Sequence, residues 1–376
     1  MQIRNIYGRK ILNSVGNWTI EVKVELDDGT VGSASVPGGL SKGASEVDTI
    51  EAEAALFIIE EIKDELIGIE FKSTFDLDIK LLQMDNTENK SKLGGNTLLG
   101  LSVAFTKAIA ITQRHETYEY IHKLLNPEIP LEVINFKMPK YMMLMLEGGA
   151  HGSSDATIQE FMAIVNEIPR GVEIYNSVKK ELHNLGKSTN VGAEGAFSPE
   201  GFDNRMSLEI MTKFLRDEKI ALDVAASTIP KEDIPNYDEL LTDFPISSIE
   251  DPLGEEDWAN WEFFASKHLN KIQVVTDDLT TTNPKLLTEA IKRNVGNAII
   301  IKPNQIGTIY ETLKVVKMAK DAGWKVIVSH RGTDTNDDFI SDLAVGIQSD
   351  YVKFGSPARG ERVAKYNRLL EIAALI

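Results

Sequence analysis

Six ionisable residues recur at nearly even spacing in the second half of the chain. Asp223, Glu250, Asp277, Lys302, His330 and Lys353 each close a short apolar run, in KIALD, FPISSIE, KIQVVTD, NAIIIK, KVIVSH and DYVK, at intervals of 27, 27, 25, 28 and 23 residues. Three carboxylates brought to one point repel one another unless a cation sits among them. The chain has no cysteine, so such a site is built from oxygen or imidazole, which selects a hard cation, Mg²⁺ before Mn²⁺. A lysine facing a divalent cation and a second lysine is destabilised in its charged form, which predicts for Lys302 a pKa lowered from about 10.4 toward neutrality. A base beside Mg²⁺ is equipment for removing a proton next to a carboxylate, because the metal absorbs the charge that develops on the oxygens. Taken singly, each acid also reads as a helix cap at a strand-to-helix junction and Lys302 as a lysine snorkelling from a strand end. The shared period sets the group apart.

The elements needed to position these residues follow from the same period. One apolar strand and one helix-like segment per interval make a βα unit, and near-continuous apolar strands belong to a parallel sheet covered on both faces. The units share no consensus residues, which predicts a (β/α) barrel rather than a solenoid. The six groups then stand at the C-terminal ends of the strands, where barrel active sites sit. Upstream, WTIEVKVELDDGTVGSASV reads as a β-hairpin around Asp-Asp-Gly with Ile20, Val22 and Val24 on one face, within a small antiparallel sheet over 2–32. The Gly- and Ser-rich VPGGLSKGAS at 36–45 reads as a mobile loop. Two amphipathic helices follow, one from about Thr49 as N-cap and one from Asn96. The expectation is an α/β chain with an N-terminal α+β lid domain over 1–125 and a barrel over 126–376.

Composition narrows the function classes. A chain of 376 residues with 42% hydrophobic content is long enough for two or three domains with a large core. A formal charge of -17 repels nucleic-acid phosphates and anionic membranes, so neither is an expected partner. The N-terminal MQIRNIYGRKILNSVG has no apolar stretch of signal-peptide length. YMMLML at 141–146, the longest apolar run, is far short of the roughly 18 to 20 residues that span a bilayer. A mature start and a cytoplasmic location are expected.

The chain resembles the enolase family over nearly its whole length. GRKILNSVGNWTIEV, NKSKLGGNTLLGLS, GGAHGSSDATIQEFM, VGAEGAF, IALDVAAS, SIEDPLGEEDW, VVTDDLTTTNP, IIIKPNQIGT, VSHRGTDTNDDFISDLAVG and KFGSPARGERVAKYN correspond, in order, to motifs of that family. The resemblance implies a lid domain and an enolase-type (β/α)8 TIM-like barrel that begins with two antiparallel strands and two helices. It also implies the glycolytic and gluconeogenic reaction, reversible dehydration of 2-phosphoglycerate to phosphoenolpyruvate. A Lys or His base with one or two Mg²⁺ ions is a known pattern of the superfamily rather than a deduction from this sequence. By motif, Lys302 is the base at C2, Glu194 the acid at the C3 hydroxyl, and Glu160 its support. Asp223, Glu250 and Asp277 bind the first Mg²⁺, and Ser41 reaches a second, substrate-dependent one. Lys353 faces the substrate carboxylate, His151 and Gln159 flank the leaving group, and His330 and Arg331 lie near the phosphate, which a guanidinium fork suits. Alone, Glu194 reads as a solvated turn residue and His151 as ordinary; the ordered motif set gives them weight.

Several positions depart from the family. Gly332 follows His-Arg where a serine is usual, and losing one hydrogen bond to a charged group costs about 1.5–3 kcal/mol. Ala193 stands for an Asp before the acid, Gly38 for a Ser in the loop, and Glu147 for the Asn before Gly-Gly. The family's dimer pairs Arg9 and Glu21 with an Arg and a Glu near the C-terminus, but here Glu371 and Ala374 stand there, so Glu21 would face Glu371. The expected homo-oligomer has an altered or weaker interface. Two alternatives accompany this reading, a superfamily lyase acting on a related phosphorylated or phosphonate hydroxy acid, and a non-catalytic enolase-like scaffold.

Overall fold

Side-chain alternation builds the first sheet. In the computed structural model, which describes residues 1–39 and 43–376, β1 (Ile3–Leu12), β2 (Trp18–Leu26) and β3 (Val31–Ser35) form an antiparallel sheet in that order. Ile20, Val22, Val24 and Leu26 are fully buried on one face, the period of two expected for a half-buried strand. Four helices follow: α1 (Ala52–Ile62), α2 (Thr74–Asp85), α3 (Gly95–Thr112) and α4 (Thr117–Leu125). Helix α3 lies directly on the sheet, and a Cβ at Gly32 would collide with the Ala104 carbonyl oxygen. By length and composition α3 could cross a membrane, yet 15 of its 18 residues are buried inside this fold, which makes it a core helix.

Two details differ from the sequence expectation. Helix α1 starts at Ala52, with Glu51 and not Thr49 in the N-cap position. The Asn96 side chain holds Ile50 by both backbone groups (Ile50 N to Oδ1, 3.2 Å; Nδ2 to Ile50 O, 2.9 Å), which keeps that stretch outside the helix. Helices α2 and α4 were not anticipated, although their starts are encoded: Asp76 accepts from Ser73 N and Glu119 from Glu116 N, each a side chain at the third helical position reaching back to the cap.

The remaining chain closes a barrel of eight strands, β4 (Lys140–Glu147), β5 (Glu160–Val165), β6 (Lys219–Asp223), β7 (Ile246–Glu250), β8 (Gln273–Thr276), β9 (Ala298–Ile301), β10 (Lys325–Ser329) and β11 (Tyr351–Lys353). Helices α5 (Ile168–Asn184) and α6 (Asn204–Thr212) lie between β5 and β6. The later connections carry α7 (Tyr237–Asp243), α8 (Trp258–His268), α9 (Pro284–Arg293), α10 (Pro303–Ile306), α11 (Ile309–Asp321) and α12 (Phe339–Gly346), and α13 (Gly360–Ala373) follows β11. Strand β5 runs antiparallel to β4 and β6, and the other neighbours are parallel. Met142, Leu144, Met162, Ala221, Val275, Ala298, Ile300 and Ile327, drawn from six strands in the pleat's alternation, pack into one apolar cluster inside the barrel.

Reversing β5 puts its first residue beside the last residues of its neighbours. The registers pair Glu147 with Glu160, Glu160 with Asp223 and Asp223 with Glu250, so four strands present a row of four carboxylates at one barrel end. The N-terminal helices dock onto the barrel chain through polar contacts: Asp78 of α2, which also accepts from Ser102 Oγ of α3 (2.9 Å), accepts from Tyr310 N of α11 (2.8 Å), and Lys107 of α3 pairs with Asp337 (2.9 Å).

Candidate active site

The six strand-end residues converge as their period predicts. Asp223, Asp277, Lys302, His330 and Lys353 line one pocket with Glu46, His151, Gln159, Glu160, Glu194, Asp251, Asp278 and Arg331, Glu250 joins it through its bonds to Lys353, and the free space inside is about 40 Å³. That volume holds only a few water-sized groups. The side chains fill the pocket by pairing with one another.

Lys353 is fully enclosed, and its Nζ bonds Asp223 Oδ2 (2.7 Å) and both oxygens of Glu250 (2.9 Å each), with Glu160 Oε2 at 3.4 Å. Burial lowers its proton affinity, but Asp223, Glu160 and Glu250 outweigh it and hold Lys353 well above the ordinary lysine value. In this pairing all of the Lys353 contacts named above are to the chain's own acids. Lys302 Nζ hydrogen-bonds Asp277 Oδ2. Burial pulls Lys302 down, yet Asp277 wins and its pKa is raised, the opposite of the expected fall. The expectation took the charge of the three acids to be used up by a cation; here Asp277 spends its charge on the lysine.

A second carboxylate group lies alongside. Asp251, Asp277 and Asp278 bring oxygen atoms within 4.8 Å of one another. Asp251 accepts from Asp277 N (3.0 Å) and Asp278 N (2.8 Å), bracing the turn that carries both, and its own backbone is left-handed (φ 42°), a strained conformation for a non-glycine residue. Burial first, then neighbouring acids, push Asp278 up to about 7 and hold Asp251 and Glu250 well above the ordinary carboxylate range. Hard oxygen donors, buried together and repelling one another, fit a divalent cation. Sequence reading missed Asp251 and Asp278, although each follows an expected ligand directly, in SIEDP and VTDDL.

Around Glu194 the chemistry is acid-base in type. Its carboxylate contacts His330 Nε2 (2.9 Å) and His151 Nδ1 (3.8 Å), and His151 Nδ1 also lies 4.0 Å from Glu160 Oε1. Burial would raise Glu194, but His330 and His151 overcome it and hold it well below the usual range. Burial pushes His330 down to about 4, so a neutral imidazole donates to an ionised Glu194. Glu160 is driven well above its usual range by burial, against the pull of Lys353, so the proton of this cluster rests there. Gln159 Nε2 approaches Asp223 Oδ2 at 3.4 Å.

Arg331 is paired within the chain. Glu46, a loop residue the sequence reading did not single out, takes both Nη atoms (3.0 and 3.1 Å), and Asn304 Oδ1 takes one of them (3.2 Å). Ser41 lies outside the described residues. Gly38 N donates to Thr333 O (2.9 Å), and a Cβ at 38 would come 2.6 Å from Thr333 Oγ1, so the hydroxyl absent at Gly332 stands one residue further on, against the glycine of the loop. Ala193 precedes Glu194, whose backbone N donates to Glu147 Oε2 (3.3 Å).

Comparison with known proteins gives the family. Residues 3–121 match the family described as "Enolase, N-terminal domain", and residues 135–238 and 229–376 match "Enolase, C-terminal TIM barrel domain". The chain belongs to the enolase family. It is 37% identical over 410 aligned residues to a protein named "Enolase" from Acidothermus cellulolyticus, covering 98% of this chain and 94% of that relative. Membership makes this a lyase of the enolase type with the metal dependence of that family, and the Asp251, Asp277 and Asp278 cluster could hold a metal.

Proposed function

We propose that the chain catalyses the reversible, Mg²⁺-dependent dehydration of 2-phosphoglycerate to phosphoenolpyruvate. The observation that carries this reading is that Lys302, Glu194 and the clustered carboxylates share one pocket at the C-terminal mouth of the barrel. Asp223, Glu250 and Asp277 would hold the first ion, with Asp278 beside them and Ser41 reaching a second. When bound, the metal supplies positive charge to the substrate carboxylate as its α-carbon loses a proton.

The chain's own residues do the rest. Lys302 Nζ, once it has left Asp277 and released its own proton to solvent, accepts the C2 proton. Glu194, ionised beside His330, first takes a proton from the neighbouring protonated Glu160 and then delivers it to the C3 hydroxyl, which leaves as water as the C2–C3 double bond forms. His151 and Gln159 position the hydroxyl, and Lys353 turns from Asp223 and Glu250 to the substrate carboxylate. His330 and the Arg331 fork take the phosphate, for which Glu46 must release the guanidinium. A pocket with about 40 Å³ free cannot admit the substrate until these internal pairs part, so binding and rearrangement are one event. Cytoplasmic work on a small anionic substrate, as a homo-oligomer with a changed interface, completes the proposal.

The test is enol absorbance growing from 2-phosphoglycerate with added Mg²⁺ and lost on chelation. No turnover with Mg²⁺ binding retained would favour a related hydroxy acid as substrate, a reading to which the rearranged Gly38, Gly332 and Thr333 region lends itself.

A further inference from the structure

Glu147 is the one member of the four-carboxylate row without a task in the reaction above. It ends β4, is 1% exposed, and its Oε1 has no hydrogen-bond partner among the described residues. Its backbone is tied on both sides, N donating to Phe197 O (3.0 Å) and O accepting from Ser154 Oγ (3.1 Å). The carboxyl is lodged under the turn at 192–195 that carries Glu194: Oε2 accepts from Glu194 N, and Oε1 occupies the space a Cβ at Gly192 would need. Arg359 Nη1 holds the same turn from the other side through Gly192 O (3.1 Å).

We infer that Glu147 is a positioning residue for Glu194, fixing the turn through the Glu194 amide and placing a second carboxyl whose charge state sets how readily Glu194 holds its proton. The inference rests on the reading of Glu194 as the acid. The groups facing Glu147 are Glu194 in the turn, Glu160 across the β4–β5 register, Tyr175 on α5, Arg359 and Arg362 at the start of α13, and His151 beyond Gly148. Burial, followed by the Glu194 charge, pushes Glu147 up to about 8, against the pull of the Glu194 amide and of Arg362 and Arg359. It is therefore neutral at pH 7. Ionisation above that value sets a like charge beside Glu194 and raises its proton affinity.

The test compares Glu147→Gln, which keeps the shape and an acceptor for the amide, with Glu147→Ala, which keeps neither. Loss of the C3 hydroxyl should slow about 10- to 100-fold in Glu147→Ala while C2 proton exchange, the task of Lys302, stays within about 3-fold of the unmodified protein. The hydroxyl-loss rate of the unmodified protein relative to Glu147→Gln should climb through about pH 8. Equal loss of both steps in Glu147→Ala indicates a merely structural residue and overturns the inference, as does an unimpaired Glu147→Ala. Should Glu147→Ala not fold, Glu147→Gln decides, a ratio flat with pH overturning it. Infrared difference spectra need no turnover: a neutral carboxyl band lost by about pH 9, and missing in Glu147→Gln, is expected. If the unmodified protein leaves 2-phosphoglycerate untouched but shows that band, the proposed reaction fails and the carboxyl pair stands; if the band is missing, the inference fails too.

Discussion

At the scale of single residues, the pocket is organised by competition for charge. Lys353 and Lys302 neutralise acids that are also the candidate metal ligands, and Glu46 neutralises the candidate phosphate arginine. Each internal pair protects a buried charge that would be costly to leave alone. The steric partnership of Gly38 and Thr333 is a separate residue-scale feature. Gly38→Ala should cost about 1–2 kcal/mol through overpacking against the Thr333 hydroxyl, and Thr333→Ala in the same chain should recover most of it. Thermal melts of the two single variants and the double variant read that coupling, and additive losses would mean that the two residues do not press on each other. The residues that sequence spacing could find were those repeated at the barrel period, Asp223 through Lys353. Glu46, Asp251 and Asp278 escaped, and Glu147 stood out only as a departure from the family pattern, because their importance comes from tertiary neighbours: a bidentate fork, a turn with no room for a Cβ, and a brace across two strand ends.

Elements decide which of these groups meet. The antiparallel β5 carries Glu160 to the same end as Asp223 and Glu250, a placement that follows from topology and that no local pattern encodes. The parallel units were legible because each strand is apolar throughout and ends in an ionisable residue, whereas α2 and α4 were not, since their apolar faces are short and their starts depend on caps. The joint between α2 and α11 offers an element-scale prediction. Burial raises Asp78 to about 7, although Tyr310 N and Ser102 Oγ hydrogen-bond it, and its Oδ1 has no partner among the described residues. A folded pKa above the unfolded one means that the native state binds more protons, so this group's stabilisation is complete below about pH 4 and is lost as pH rises to about 7. Asp78→Asn should therefore be more stable than the unmodified protein by about 1–3 kcal/mol at pH 8, with the difference shrinking toward pH 4. Denaturant melts at the two pH values check it, and a difference independent of pH would show that Asp78 titrates normally.

Across the whole molecule, an acidic chain of charge -17 concentrates Lys302, Lys353, His330 and Arg331 at one barrel mouth. The net charge governs encounter at a distance, while the local cations and a bound metal govern the pocket. The surface expected to form an oligomer has its own internal pairing, since Arg9 bonds both oxygens of Glu21 within one chain (2.8 and 3.0 Å) and Glu371 pairs with Arg368 (3.0 Å). These pairs leave each acid a partner without a second copy. Fold class and family were readable from ordered motifs, but the self-pairing of the pocket was not, because it depends on how two lysines and one arginine divide five acids among them.

The central claim is a division of labour between Lys302 and Glu194, and isotope exchange on 2-phosphoglycerate with Mg²⁺ in deuterated water tests it most directly. Lys302→Ala should lose C2 proton exchange by at least about 1000-fold, whereas Glu194→Gln should keep exchange within about 10-fold while losing dehydration. Exchange that survives in Lys302→Ala, or that disappears together with dehydration in Glu194→Gln, would contradict the assignment.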